Sequence, residues 1–154
     1  MMVGRDVSLE VEKGAPAGEK QETLRVENLY YNSVSGKQLL QNVSFSLYRG
    51  RILGVAGVEG NGQKELSEIL TGLRSFARGE ITLEGESVKG KSVRQIRQMG
   101  ISNISEDRMT YGCAPTMSVT DNIIADRYYS GKYSHGIRLD VKAIRRDVEE
   151  LVKT

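Results

Sequence analysis

The 154-residue sequence has few of the features that place a protein outside the cell or across a membrane. Cys113 is the only cysteine, so the chain can form no internal disulfide and fits a reducing compartment. No apolar run approaches the roughly 20 residues that a membrane-spanning helix needs, and the strongest, ILGVAGV, has the length of a strand. The charged start, MMVGRDVSLEVEKG, lacks the apolar core of a secretory signal. We therefore expect a cytoplasmic protein with no direct membrane insertion.

A strong excess of charge of one sign is also missing. The formal net charge is +2, and the Lys and Arg residues are scattered along the chain. Nucleic-acid-binding domains usually concentrate basic residues in a patch or stripe that meets the phosphates. We expect no nucleic acid as a partner. The length, with 38% hydrophobic residues, suffices for one compact domain or a fragment of one.

Glycine, by contrast, recurs in one segment whose pattern is informative about function. Residues 51–64, RILGVAGVEGNGQK, predict a buried strand, a glycine-rich turn and then a helix. This is the layout of a phosphate-binding loop, in which backbone N–H groups converge on phosphate oxygens because glycine has no Cβ to block them. The candidate nucleotide-binding residues are Gly57, Val58, Glu59, Gly60, Asn61, Gly62, Gln63 and Lys64.

The end of this loop departs from the P-loop pattern, which continues from its second glycine with Lys and then Ser or Thr. Gly57 and Gly62 keep the spacing, but Gln63 and Lys64 take the last two places. A charge-assisted contact to phosphate is typically worth about 1.5–3 kcal/mol, so we expect weakened nucleotide binding. Lys64 is a poor substitute because one helical step rotates a side chain by roughly 100°. The alternative is a glycine-rich turn without a ligand. A Rossmann turn is disfavoured because the glycine order is reversed.

The flanking segments predict an α/β fold. Residues 8–23 have the composition of a solvated linker. Strands are predicted in TLRVENLYY, KQLLQNVSFSLYRGRILGV, GEITLEGESV and ISNIS. Helices are predicted in QKELSEILTGL, KSVRQIRQMG, SVTDNIIADRYY, with Ser118 or Thr120 as its cap, and LDVKAIRRDVEELVKT, capped by Asp140. The first helix carries an apolar face of Leu66, Ile69, Leu70 and Leu73, and the last one of Val141, Ile144, Val148, Leu151 and Val152.

Taken together, LRVENL, LLQNVSFSLYRGRILGVAGVEGNGQKEL, GEITLEGESV, ISNISEDRMTYG and MSVTDNI resemble an ATP-binding cassette of an ABC importer. More narrowly, GVEGNGQKEL with EDRMTYG resembles the second, usually degenerate, of two fused cassettes in proteins that energise simple-sugar and nucleoside uptake. The resemblance implies a partial P-loop NTPase fold. It assigns residues 1–21 to the tail of a preceding cassette and a linker, residues 22–106 to the β portion and P-loop core, and residues 107–154 to the start of a helical subdomain.

The same resemblance implies ATP and Mg as cofactors. Glu106 falls where cassettes carry the Q-loop glutamine, so we expect it to offer an oxygen to magnesium; the alternative is an exposed charged turn. Tyr31 is a weaker candidate for stacking on adenine, against the alternative of a half-buried strand tyrosine. The family's signature, Walker B and switch-histidine motifs do not occur, so no catalytic residue is assigned and the chain alone should not hydrolyse ATP. His135 is given no role.

The partners implied are the other cassette of the same chain, the transmembrane permease subunits and ATP. Residues 107–135 would rest against the permease, which places the protein at the inner face of the cell membrane. A nonenzymatic permease-docking module that binds no nucleotide is the alternative. A small-molecule kinase is disfavoured because no apolar strand ending in Asp follows the loop. Without that strand, an exposed sheet edge or apolar face is expected to favour self-association.

Overall fold

The computed structural model describes residues 21–153, which form two compact units. The first unit ends at Asn103 and the second begins at Ile104. The predicted linker and tail over residues 1–21 lie almost entirely outside the described residues. The two units are described in turn.

The first unit is built on a four-stranded antiparallel sheet in the order β2-β1-β3-β4. Its strands are β1 (Glu22–Asn32), β2 (Gln38–Tyr48), β3 (Arg78–Leu83) and β4 (Glu86–Ser87). A tight turn joins β1 to β2, and β1 then lies between β2 and β3. These strands confirm the predicted antiparallel β portion. Alternate apolar side chains of β1 and β3 are buried on one face of the sheet, as expected for strands that share a core.

That core is closed by two helices, α1 (Gln63–Leu70) and α2 (Val93–Gln98). Leu66 and Ile69 of α1 are buried against the sheet, as their helical spacing predicts. Leu73 is 61% exposed because the helix ends earlier, at a turn in which Gly72 has a φ of +76°, so its predicted place on the apolar face is wrong. The buried residues of this core are Leu24, Val26, Leu29, Leu40, Leu66, Ile69, Ile81, Leu83, Val88 and Ile96.

Two predicted strands, residues 51–58 and 101–105, do not form strands in the structure. The predicted burial of the first is also wrong, since Ile52 is 100% exposed and Val58 is 71% exposed. An apolar run indicates a tendency to be buried, but a strand also needs a partner for its backbone N–H and C=O groups. Within the described residues neither edge strand of the sheet, β2 or β4, pairs with this segment. Both segments therefore remain irregular.

The second unit begins with a π-helical turn, Arg108–Gly112, and contains α3 (Val119–Ile124), the short hairpin of β5 (Ser134–His135) and β6 (Arg138–Leu139), and α4 (Val141–Lys153). Ser118 caps α3 with a capping box to Asp121, and the Asp140 carboxylate accepts a hydrogen bond of 3.0 Å from the backbone N–H of Ala143. Both caps were predicted. The hairpin that contains His135 was not, and α3 is shorter than its sequence pattern indicates.

The core of the second unit is small. Among the residues that the structure describes, it consists of Ile124, Tyr133, Ile144 and Val148. The predicted apolar stripe of α4 is therefore right at two positions, Ile144 and Val148, whereas its other members, Val141, Leu151 and Val152, are exposed. Among residues 21–153, no helix combines the length and the apolarity that crossing a bilayer requires.

Candidate nucleotide-binding loop

The predicted phosphate-binding loop connects the irregular segment after β2 to the start of α1. The backbone N–H of Asn61 donates to the carbonyl of Val58 over 3.3 Å, and Gly60 and Gly62 have φ angles of +81° and +95°. Such left-handed angles are costly for residues with a Cβ. The glycines that the sequence singles out therefore make the turn that reverses the chain into α1.

Gly62 also anchors the loop to the sheet. A Cβ added at Gly62 would lie 2.8 Å from the carbonyl oxygen of Leu39 and 2.8 Å from Cδ2 of Leu40, both in β2. Gly62 is buried and is the N-cap of α1, with its carbonyl accepting a 2.8 Å hydrogen bond from the backbone N–H of Leu66. Position 62 thus requires glycine for its backbone angle and for its contact with β2.

The N-terminus of α1 is open towards the loop. No side chain within residues 21–153 caps it, so the first backbone N–H groups of the helix keep their hydrogen-bonding capacity. These groups and the helix dipole favour a negative charge at this end. A glycine turn that ends on an uncapped helix of this kind suits the phosphates of a nucleotide.

Gln63, the first residue of α1, folds back over the loop. A Cβ added at Gly57 would overlap the side-chain nitrogen of Gln63 and would lie 2.9 Å from its Cδ. The Gln63 amide therefore covers the face of Gly57 that the missing side chain leaves open. Lys64, the next residue, is exposed, as are Val58 and Glu59. The structure brings residue 63, and not Lys64, to the inside of the loop.

A cavity of about 450 Å³ lies beside the loop, within the first unit. Gln63 and Val55 line it together with residues of α1, β1, β2 and the 100–103 segment. Ser67 and Asn103 are among the lining residues, and the Ser67 hydroxyl donates a 3.3 Å hydrogen bond to Oδ1 of Asn103. Ser67 and Asn103 were not among the residues predicted from the sequence. The signal for Ser67 was its spacing, because it follows Gln63 by one helical turn and so shares its face.

Tyr31 is half-buried at the far end of α1, where its hydroxyl accepts a 2.6 Å hydrogen bond from Nη1 of Arg74. The Arg74 guanidinium also pairs with Glu68 of α1 at 2.6 Å and lies over the Tyr31 ring, 5.3 Å from its centroid. The hydrogen bond to Tyr31 and the one to Glu68 raise the pKa of Arg74. Tyr31 therefore ties β1 to α1, and its contact with adenine stays a prediction.

Glu106, in the second unit, is an exposed carboxylate. The neighbouring Asp107 carboxylate accepts hydrogen bonds from the backbone N–H groups of Met109 (3.1 Å) and Thr110 (2.9 Å). Hydrogen bonds from Thr110 and then from Met109 lower the pKa of Asp107. No cluster of three or more His, Cys, Asp or Glu side chains in the described chain could hold a metal ion. The described residues thus supply no closed magnesium site.

Comparisons with known proteins agree with this fold. A family model described as ABC transporter matches residues 40–154. A glucose import ATP-binding protein of Haloferax volcanii is 38% identical over 154 residues, which are 99% of this chain and 28% of that protein. A guanosine import ATP-binding protein of Bacillus subtilis is 38% identical over 134 residues, which are 87% of this chain and 26% of that protein. The chain thus spans less than a third of the length of these relatives.

Solved structures give the same result for the fold. A nucleotide-free ATP-binding cassette from an ABC transporter aligns with a TM-score of 0.62 at 20% identity, covering 86% of this chain and 52% of that one. The cbiO1 protein of Clostridium perfringens, part of an ABC transporter complex, aligns with a TM-score of 0.55 at 18% identity, covering 87% of this chain and 50% of that one. On the family match and these alignments, the chain belongs to the ABC transporter family and has the α/β fold of its ATP-binding cassettes.

Proposed function

We propose that this chain is the nucleotide-binding part of the energy-coupling subunit of an ABC importer for simple sugars or nucleosides. The observation that carries the proposal is the glycine loop, which Gly62 anchors to β2 and which leads into the uncapped N-terminus of α1. The names of the relatives, which are glucose and guanosine import ATP-binding proteins, support the solute class. ATP is the ligand that this arrangement best suits.

In this proposal the backbone of residues 57–64 holds the phosphates. Gln63 provides a neutral amide where a P-loop provides a cation, so the site is a weakened one. Tyr31 is proposed to contact the adenine and Glu106 to approach magnesium. When bound, ATP and its magnesium ion would supply the phosphoryl chemistry, to which no residue of this chain is assigned a catalytic role.

The proposed partners are the other cassette of a longer protein and the transmembrane permease. Residues 107–135 are the proposed permease-facing segment, which would place the protein in the cytoplasm at the inner face of the membrane. This segment carries exposed apolar side chains, with Met109 66% exposed and Tyr111 75% exposed. Interaction sites are marked by contiguous exposed apolar patches, and these side chains are the ones proposed to contribute to such a patch.

Calorimetric titration with ATP, with and without magnesium, tests the nucleotide site. A Gln63→Lys variant restores the cation and should tighten binding by about 10- to 150-fold, the equivalent of about 1.5–3 kcal/mol. The matched control is Gln98→Lys, which makes the same charge change at the exposed end of α2. If folded wild-type and Gln63→Lys proteins both fail to bind ATP, the proposal is wrong.

The alternative function is a nonenzymatic module that docks on the permease and binds no nucleotide. The Gln63 side chain covers Gly57, and this contact favours the alternative function. Replacing Tyr111 and Met117 by Ala should then abolish co-purification with the co-expressed permease, while Gln63→Lys should leave ATP binding undetectable. Deletion of residues 22–154 from the longer protein should abolish solute uptake under either function, so unchanged uptake would contradict both.

A further inference from the structure

We propose that the Gln63 side chain is a displaceable gate on the phosphate loop, which must swing away from Gly57 before a phosphate group can enter. This inference rests on the proposed nucleotide function and adds a means by which the loop itself limits binding. It assigns to Gln63 a role beyond the simple absence of the P-loop lysine.

The Gln63 amide occupies space that a phosphate group needs. The loop exposes the Cα of Gly57 on its inner side, and the Gln63 amide fills that space so closely that even a methyl group would overlap it. Phosphate oxygens need the same space, because they approach backbone N–H groups where no side chain intervenes. Ligand and amide therefore exclude each other.

The Gln63 amide is only weakly held in this position. Among the described residues no hydrogen bond fixes the Gln63 side chain, and the residue is half-buried. Its contact with Gly57 is thus a packing contact, which a rotation about the side-chain bonds can break. The gate can open without unfolding α1, whose first turn is fixed by the Gly62 carbonyl.

The cavity beside the loop can accommodate the displaced Gln63 amide. Gln63 lines this cavity of about 450 Å³, and so do Ser67 and Asn103, which are hydrogen-bonded to each other. Those polar groups can accept and donate hydrogen bonds to an amide, which a wholly apolar cavity could not offer. The open position of Gln63 is therefore compatible with the packing around it.

The experiment compares Gln63→Ala with wild type in calorimetric titrations of Mg-ATP and of tripolyphosphate, which has no base. When only a fraction of molecules is open, the apparent dissociation constant rises by the inverse of that fraction. With an open fraction of about 0.1–0.3, Gln63→Ala should bind both ligands about 3- to 10-fold more tightly. Gln98→Ala is the matched control, since it makes the same change on an exposed helical position, and its affinities should equal those of wild type.

The outcomes distinguish failure of the Gln63 gate from failure of the nucleotide function. Tighter binding of both ligands by Gln63→Ala supports the gate. Unchanged or weaker binding by Gln63→Ala, with measurable ATP binding by wild type or Gln63→Lys, overturns the gate and leaves the nucleotide function standing. A gain with ATP alone also overturns the gate, because the effect would then lie at the base. Absence of binding in every folded variant overturns the nucleotide function and the gate with it. Circular dichroism of each variant establishes that it is folded.

Discussion

Replacing Gly62 by Ala should destabilise the first unit more than any other glycine substitution in the loop. The left-handed φ of +95° costs a residue with a Cβ about 1–2 kcal/mol. The new methyl group would also lie 2.8 Å from the Leu39 carbonyl oxygen and from the Leu40 side chain. Relief requires β2 to move, and such overpacking typically costs about 1–3 kcal/mol. We therefore expect a loss of about 2–5 kcal/mol in the free energy of unfolding.

Gly60→Ala is the matched control, because Gly60 has a φ of +81° but no atom of the described chain lies within 4 Å of an added Cβ. It should lose only the conformational part, about 1–2 kcal/mol. Urea unfolding of both variants, followed by far-ultraviolet circular dichroism, measures the difference. Equal losses in the two variants would refute the close contact between the loop and β2. In the Gly62→Ala protein, ATP binding should also weaken, since the start of α1 would be displaced.

Three further predictions concern the contacts around this site and in the second unit. Tyr31→Phe should lower the free energy of unfolding by about 0.5–1.5 kcal/mol through loss of the hydrogen bond from Arg74. Calorimetry should find the ATP affinity unchanged, because the aromatic ring remains. An unchanged free energy of unfolding would contradict the prediction. Hydrogen bonds from Lys132 and Tyr133 lower the pKa of Asp147, so the second unit should lose stability as the pH falls through and below the ordinary aspartate pKa of about 3.9. Asp147→Asn should remove that acid dependence in pH titrations monitored by circular dichroism. An acid profile identical to that of wild type would contradict the role of the Asp147 contacts with Lys132 and Tyr133. Self-association of the chain should decrease in Ile52→Lys, since Ile52 is fully exposed, and a concentration-independent monomer for wild type in sedimentation velocity would contradict the prediction.

The parts of the fold that depend on local sequence could be predicted. The alternation in TLRVENLYY predicted β1, and GEITLE with the glycine after it predicted β3 and the turn that follows. These predictions succeeded because side-chain period and turn chemistry act over a few residues. The same holds for the caps Ser118 and Asp140, each of which bonds to a backbone N–H three residues later. The order of the strands, with β1 in the centre, depends on pairing between distant residues and was not predicted.

The features that the sequence analysis predicted wrongly or missed have a common physical cause. Residues 51–58 and 101–105 have the composition of buried strands, but composition does not supply the neighbouring strand with which to pair. Likewise, the spacing of Gly57 and Gly62 indicated a phosphate loop, but only the structure places the Gln63 amide against Gly57. Arg74, which follows α1, contacts both Tyr31 of β1 and Glu68 of α1. No local sequence pattern predicts these contacts, because they depend on how β1 and α1 pack together.

The separate cores of the two units have a consequence for how the native protein opens. Among the described residues of the second unit, the buried core consists of Ile124, Tyr133, Ile144 and Val148, whereas the first unit buries apolar side chains from its sheet and from α1 and α2. Small domains bury a smaller share of their surface and are correspondingly marginal. Amide protons of α3 and α4 should therefore exchange with solvent through partial opening, well before those of β1. A single melting temperature would then describe neither unit, and protease cleavage should begin after residue 104 while the sheet is still folded.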